Sequence, residues 1–552
     1  MKKFAEFGAP ILLVLLCAIL HLTGLGLTSL IEPLEAVHAE AARRAFLSEH
    51  LFAAGSLDSS IPPMVRWLQQ LSFYYFGINE TAARLPGAIA GIGCILILYI
   101  GCRPYLGIRV AFNGGLIFAT MTLFVLFSRM AIPASPLLFF QLLSLILINT
   151  GVQRSGHGHF GAPWLWGGAV CAGAAALTGT LAAGLVVLAA TVAHLTLLIR
   201  MHPARTLGWL ASVLGVFALT SILPYLVVAV TSDLSGAKQL LVTQLLFTAP
   251  MPSAGDTVVL FPLIGALALI PWLAFLPLGF MQPKSILAAD QAGRTLRLML
   301  VIIVCSVSGY LFTSSSSMLL PCLPTLALLL ANRLTHESKK LQMPVRLASW
   351  VTVFLLLFLV VVSASAPFLL PYLTDLYPHL SSTMPVLNEV PNLGVIPYII
   401  AIALFFGTAL MMRARLRQVS QKLFELLFTV ALIVNCTSIF GLMIVSNQLF
   451  SQPLTQLARM AAQSSAPEAP IILYAIGDRY SISFSTGRNT VVLEEEQWSL
   501  LDSSLDAPDA VALTSAPRFD RLSVRNSRYI TVAREGGYVL FKEEPGTGGN
   551  IR

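Results

Sequence analysis

Six ionisable side chains stand out in a chain that carries few of them: Glu32, Glu35, His38, Arg66, Arg84 and Arg129. Glu32, Glu35 and His38 recur every three residues in Ile31-Glu32-Pro33-Leu34-Glu35-Ala36-Val37-His38, a spacing that predicts one helical face. Carboxylates and an imidazole together can move a proton or ligate a metal. Each also has a plainer reading as a solvated, packed or salt-bridged loop residue. Arg84 and Arg129 fall where apolar runs meet a polar loop, and Arg66 lies in an aromatic segment. A guanidinium in such a place can fork onto a phosphate. The plainer readings are headgroup contact, an ion pair with Glu80 or Glu35, and, for Arg66, snorkelling to the membrane surface.

The rest of the chain is built to hold these residues at a membrane. Of its 552 residues, 56% are hydrophobic and 11% charged, with a mean hydropathy of +0.79. A soluble domain carries roughly 25% charged residues. Apolar runs of about 20 residues recur along the chain, the signature of transmembrane helices. The composition predicts a polytopic α-helical membrane protein of thirteen spans: 9–29, 82–101, 109–127, 136–153, 162–180, 183–199, 206–230, 257–279, 296–312, 317–332, 347–368, 394–412 and 423–446. Met1-Lys2-Lys3 and the run after it could pass for a signal peptide. That run is too long for one and lacks a small-residue cleavage site, so it reads as a first span.

Charge sets the expected orientation. With the N-terminus inside, the inner loops hold 18 of the 24 Lys and Arg residues of 1–450 and the outer loops hold 6. That split follows the positive-inside rule. It places residues 30–81 and the tail 451–552 together on the outside, which in a bacterial inner membrane is the periplasm. The basic residues are scattered over loops, which excludes a nucleic-acid surface. The seven cysteines lie in or beside apolar runs without metal-ligand spacing and read as small hydrophobes. There is no phosphate-cradling Gly loop and no nucleophile elbow. The spans hold almost no mid-span charge, which argues against a transporter.

The loop 30–81 predicts two helices. Glu32–Phe46 is helix-compatible, with a Glu40–Arg44 pair at i,i+4. Pro62–Phe76 follows a Ser59 or Ser60 cap, with Pro62 in its first turn, and its aromatic residues suit the membrane interface. After a linker at 463–470, the tail predicts strands at 471–474, 491–493, 510–513, 529–532 and 538–541. Helical or turn segments lie between them, giving a small α/β domain.

Three elements of the first loop resemble the GT-C membrane glycosyltransferases, in particular the aminoarabinose-transferase and protein-mannosyltransferase-like members. They are Leu34-Glu35-Ala36-Val37-His38-Ala39-Glu40, Ile61-Pro62-Pro63 and Asn79-Glu80 through Ala83-Arg84-Leu85-Pro86. Ser128-Arg129-Met130-Ala131-Ile132-Pro133-Ala134, the Ser-rich run at 313–324, and Tyr474 through Gly487-Arg488 extend the likeness along the chain. The resemblance implies a GT-C-like transmembrane domain (1–450) and a periplasmic α/β domain (451–552). It implies transfer of a sugar from a polyprenyl-phosphate donor to an envelope lipid, glycan or protein. Glu35, together with Glu32, would serve as the base. Arg84, Arg129, His38 and Arg66 would bind substrate, and the lipid would lie beside helix 62–76. Cations or a divalent metal would steady the departing phosphate; no other cofactor is implied.

The departures are as specific as the matches. The family's first-loop Asp falls at Leu34, its Arg-Tyr at Val37-His38, and its Lys before Pro-Pro at Ile61. Its second-loop Asp falls at Ala134 and the Lys of its Ser-rich loop at or near Ser314. A second expectation therefore stands beside the enzyme: a catalytically inactive homologue that binds the lipid carrier or serves as a scaffold.

Overall fold

A backbone segment in hydrocarbon must satisfy its own N–H and C=O groups, so the apolar runs become helices. The computed structural model describes residues 8–48, 61–155, 162–193, 203–231, 269–313, 315–336, 342–376, 393–416, 423–466, 469–505 and 510–543. Among these, seven helices are long and apolar enough to cross a membrane, or eight with one bent pair. A helix lies on each expected span except 257–279, whose first part, to residue 268, is outside the described residues.

The first half runs α1 (Ala9–Leu22), α2 (Ala36–Leu47), α3 (Pro63–Phe76), α4 (Glu80–Leu106), α5 (Ile108–Ala119), α6 (Thr122–Ser128), α7 (Ala134–Ser155), α8 (Ala162–Thr178), α9 (Leu181–Ala193) and α10 (Pro203–Thr231). Gly77 (φ 73°) ends α3, and Asn79 Oδ1 accepts from Ala82 N (2.8 Å) to cap α4. The expected cap residues Ser59 and Ser60 lie outside the described residues. Helix α4 packs against α1, α3, α5 and α7, making it the axis of this half.

The span expected at 109–127 is instead bent by 67° between α5 and α6. The break is at Thr120. Its carbonyl accepts from Asn435 Nδ2 (2.8 Å), and its hydroxyl, accepting from Trp272 Nε1 (3.1 Å), donates back to Leu116 O (2.7 Å). Asn435 thus satisfies a carbonyl at the kink, and the Thr120 side chain, itself held by Trp272, bonds another.

The second half comprises the 3-10 segment Leu273–Phe280, α11 (Pro283–Leu287), α12 (Gln291–Thr313), α13 (Cys322–Thr335), α14 (Gln342–Leu376), α15 (Ile396–Leu416) and α16 (Leu423–Thr437). From α16 the chain stays helical through π turns and α17 (Met443–Ser446) to α18 (Gln452–Ser464). The last span therefore does not stop near 446 but continues as helix into the C-terminal domain. Helix α18 packs its apolar face, Leu454, Leu457, Ala458 and Ala461, on the sheet of that domain.

The tail forms β1 (Ile471–Tyr474), α19 (Tyr480–Thr486), β2 (Thr490–Leu493), α20 (Trp498–Leu505), β3 (Val511–Ser515), α21 (Ala516–Arg525), β4 (Tyr529–Glu535) and β5 (Tyr538–Glu543). The strand order is β2-β1-β3-β5-β4, with β1 parallel to β2 and β3, and β5 antiparallel to β3 and β4. Alternation along the strands separates two cores. Ile471, Leu473, Val511, Leu513 and Leu540 face α18 and α19; Ile472, Ala512, Val539 and Phe541 face α20 and α21.

Close approach of α8, α9 and α10 depends on Gly184, where an added Cβ would meet Ala172 O and a Phe217 ring carbon, both at 2.8 Å. Gly184→Ala is expected to lower stability by about 1–3 kcal/mol through overpacking. Gly215→Ala, where a Cβ meets nothing within 4 Å, should be neutral. Thermal unfolding of the detergent-solubilised protein compares the two.

Candidate functional site

Arg84 lies one turn into α4 and Glu35 immediately before α2, and both side chains are wholly buried. Arg84 Nε donates to Glu35 Oε1 (2.8 Å) and Nη2 to Oε2 (2.7 Å). Nη1 donates to the carbonyls of Leu25 (2.6 Å) and Thr28 (2.7 Å), and Nη2 also to that of Ser29 (2.9 Å). All five guanidinium N–H groups are used. Glu35 Oε1 also accepts from Ala131 N (2.8 Å) and Oε2 from Ile31 N (3.0 Å), which fills its four acceptor positions. The pair gathers the α1–α2 connection, α4 and the α6–α7 link around one point. Of the readings open in the sequence for Arg84, the geometry is that of the ion pair with Glu35.

Glu40 forms a second buried centre. It accepts from Arg43 Nε (2.6 Å) and Nη2 (2.8 Å) as well as from Arg44 Nε (2.7 Å). The expected i,i+4 pair with Arg44 is present, and Arg43 joins it from one turn away.

Glu32 and His38 do not share a helical face with Glu35, because α2 begins only at Ala36 and residues 32–35 form a turn. This corrects the expected helix from Glu32. The turn sends Glu32 to the tail domain, where its Oε1 accepts from Ser481 N. Glu32 Oε2 is buried and unpaired, and the Ser481 hydroxyl beside it is outside hydrogen-bonding geometry. Burial pushes the Glu32 carboxyl upward, opposed by Ser481 and the Arg479 guanidinium. His38 Nδ1 is also buried and unpaired; burial lowers its imidazole to about 4, against the pull of Glu35. Sequence reasoning missed Arg479 and Ser481, and no spacing in the chain ties them to Glu32, 449 residues from Ser481.

Arg129 is 2% exposed and spends only two N–H groups, Nη1 on Leu20 O (2.9 Å) and Nη2 on Thr23 O (2.6 Å). Its Nε is buried and unpaired, and among the described residues it faces no carboxylate at ion-pair distance. Arg66 is buried on α3 near Gln69, whose Nε2 donates to Ala83 O (3.1 Å). The opposite face of α3 closes an apolar groove of about 430 Å³ with the first turns of α4 and α7, lined by Leu68, Leu71, Tyr75, Ile89, Phe139 and Phe140.

At the departures from the family pattern, Leu34 is 58% exposed, Ile61 is buried, and Ala134 opens α7; Ser314 lies outside the described residues. Among the described residues no three His, Cys, Asp or Glu side chains are placed to hold a metal ion. With every acceptor position of Glu35 occupied, these residues do not fit a divalent cation.

Comparison with known proteins gives the context for this geometry. A family model described as dolichyl-phosphate-mannose-protein mannosyltransferase matches residues 60–231. An uncharacterised protein of Aquifex aeolicus is 30% identical over 151 residues, 27% of this chain and 29% of that protein. The putative mannosyltransferase YkcB of Bacillus subtilis is 27% identical over 160 residues, 28% of this chain and 22% of that protein. The chain thus spans less than a third of the length of these relatives. ArnT from Cupriavidus metallidurans, bound to undecaprenyl phosphate, superposes with a TM-score of 0.73 at 17% identity, covering 98% of this chain and 99% of that one. Its apo form gives 0.69 at 17% identity, covering 99% and 100%. These likenesses support the resemblance drawn from the first-loop motifs.

Breaking one side of a buried pair leaves an uncompensated charge and costs about 3–5 kcal/mol. Glu35→Gln and Arg84→Gln should each lose that much, and Glu35→Gln/Arg84→Met should recover part of it, as read by thermal unfolding. His38 contributes in the opposite direction. The unfolded imidazole takes a proton near its usual 6.5, and the folded one only near 4. Stability should therefore fall as pH drops from 7 through that window. The loss should be smaller in His38→Gln, measured as melting temperature against pH.

Proposed function

We propose that this chain, built on the GT-C glycosyltransferase fold, takes a polyprenyl-phosphate-linked sugar on the outer face of a bacterial inner membrane. It passes the sugar to an envelope lipid, glycan or protein. The observation that carries the reading is the groove between α3, α4 and α7, apolar and placed beside the outer loop, as an isoprenoid chain requires. ArnT, whose fold this chain shares, has been solved with undecaprenyl phosphate. In this reading the N-terminus is cytoplasmic and the tail domain periplasmic, as the charge split implies.

The roles divide by which groups remain free. Arg84 and Glu35 have no donor or acceptor to spare, so they position the loop rather than touch substrate. Arg129 keeps unspent N–H groups and would neutralise the carrier phosphate as it leaves. Glu32 keeps a free oxygen, and its raised carboxyl suits a base: it would take the proton from the acceptor nucleophile. The new bond forms at the anomeric carbon as its bond to the phosphate oxygen breaks. The closure of Glu35 favours one alternative, a carrier-binding or scaffold subunit with the same groove and no transfer.

The test is mass spectrometry of envelope glycolipids and glycoproteins from a deletion strain, complemented at matched protein level. The transferase reading expects a sugar lost on deletion, restored by wild type and not by Glu32→Gln. Restoration by Glu32→Gln would leave the carrier-binding alternative, and no change on deletion would sink the transferase reading. Ala90→Phe, which fills the groove, should abolish binding of polyprenyl phosphate to the purified protein.

A further inference from the structure

A second cavity, of about 980 Å³, lies at the far ends of α4 and α7, at the opposite end of α4 from Arg84. Its walls are mostly apolar, with Ile97 and Ile100 from α4 and Ile146 and Leu147 from α7, and turn polar toward Thr150 and Gln153. Its rim is cationic and aromatic: the Arg154 guanidinium lies over the Trp164 ring, 4.6 Å from its centroid. Arg154 is exposed, and among the described residues it makes no ion pair. The indole face holds the guanidinium plane by a cation–π contact and leaves its N–H edge unmatched by any carboxylate. Trp and Arg at a helix end are the side chains that settle at headgroup level.

We propose that this groove is a binding site for an anionic phospholipid, with an acyl chain between α4 and α7 and the lipid phosphate on Arg154. The walls match a chain and the rim matches a phosphate, the combination that basic pockets between spans offer to anionic headgroups. In the orientation expected from the positive-inside rule, the loops on this side would hold 18 of the 24 basic residues of 1–450, so charge complementarity would extend beyond the one residue. The site uses neither Glu32 nor the outer groove, so it stands whether or not the chain transfers a sugar.

Native mass spectrometry of the full chain in detergent, with phosphatidylglycerol and phosphatidylcholine added at equal concentration, tests this. Wild type should retain phosphatidylglycerol in preference. Arg154→Gln should lose about tenfold of that preference, one charge-assisted contact, while Arg154→Lys keeps part of it. Leu147→Trp, which fills the groove, should remove both adducts. Equal retention of the two lipids by wild type, or a full preference in a folded Arg154→Gln, would overturn the proposal.

Discussion

The buried Glu35–Arg84 pair is the constraint on which the packing of the first loop, α4 and the α6–α7 link depends. Two charges out of water are tolerated only when every remaining donor and acceptor is matched. Here three carbonyls of the α1–α2 connection and two backbone N–H groups complete the match. The connection must therefore wrap around the first turn of α4, and the α6–α7 link must come alongside. Helices α2 and α3, and hence the groove beneath α3, are positioned by that wrapping.

The tail domain is seated on the same loop. Phe484 packs on Phe73, with ring centroids 6.1 Å apart, in a cluster with Ala36, Ala39 and Ala83. Ser29 bonds Asn447 Oδ1 through its N–H (2.8 Å) and Thr455 through its hydroxyl (3.1 Å), joining the connection to the helical path that becomes α18. Apolar contact thus supplies the area of this interface and a few polar bonds its register. Glu32 belongs to this interface as well, with one oxygen accepting from Ser481 N and the other buried without a partner. A native structure seldom leaves such a group without a use, so Glu32 is the focus of the proposed chemistry.

The polar residues missing from the family pattern have physical consequences. An exposed Leu34 and a buried Ile61 supply neither carboxylate nor cation near the loop. What charge remains is divided unequally. Arg84 and Glu35 consume each other, Glu40 is taken by Arg43 and Arg44, and Arg129 and Glu32 retain free atoms. The apolar groove under α3 needs none of the missing residues, because apolar burial scales with area and requires no particular side chain.

The sequence by itself determined where helices and strands lie, since hydropathy over about 20 residues and period-two alternation are local properties. The tail strands lie where alternation expected them, whereas of the thirteen expected spans seven described helices, or eight with the bent pair, are long and apolar enough to cross a membrane. The three-residue spacing of Glu32, Glu35 and His38 misled because Pro33 sits in a turn and the helix starts only at Ala36. The bend at Thr120 was illegible because Asn435 and Trp272, its partners, come from distant segments. Only the tertiary structure decided which carboxylate is spent and which is free. Glu35 meets a guanidinium 49 residues away and Glu32 an amide 449 residues away. Charge pairing depends on distance in space, which helix packing sets and sequence spacing does not record.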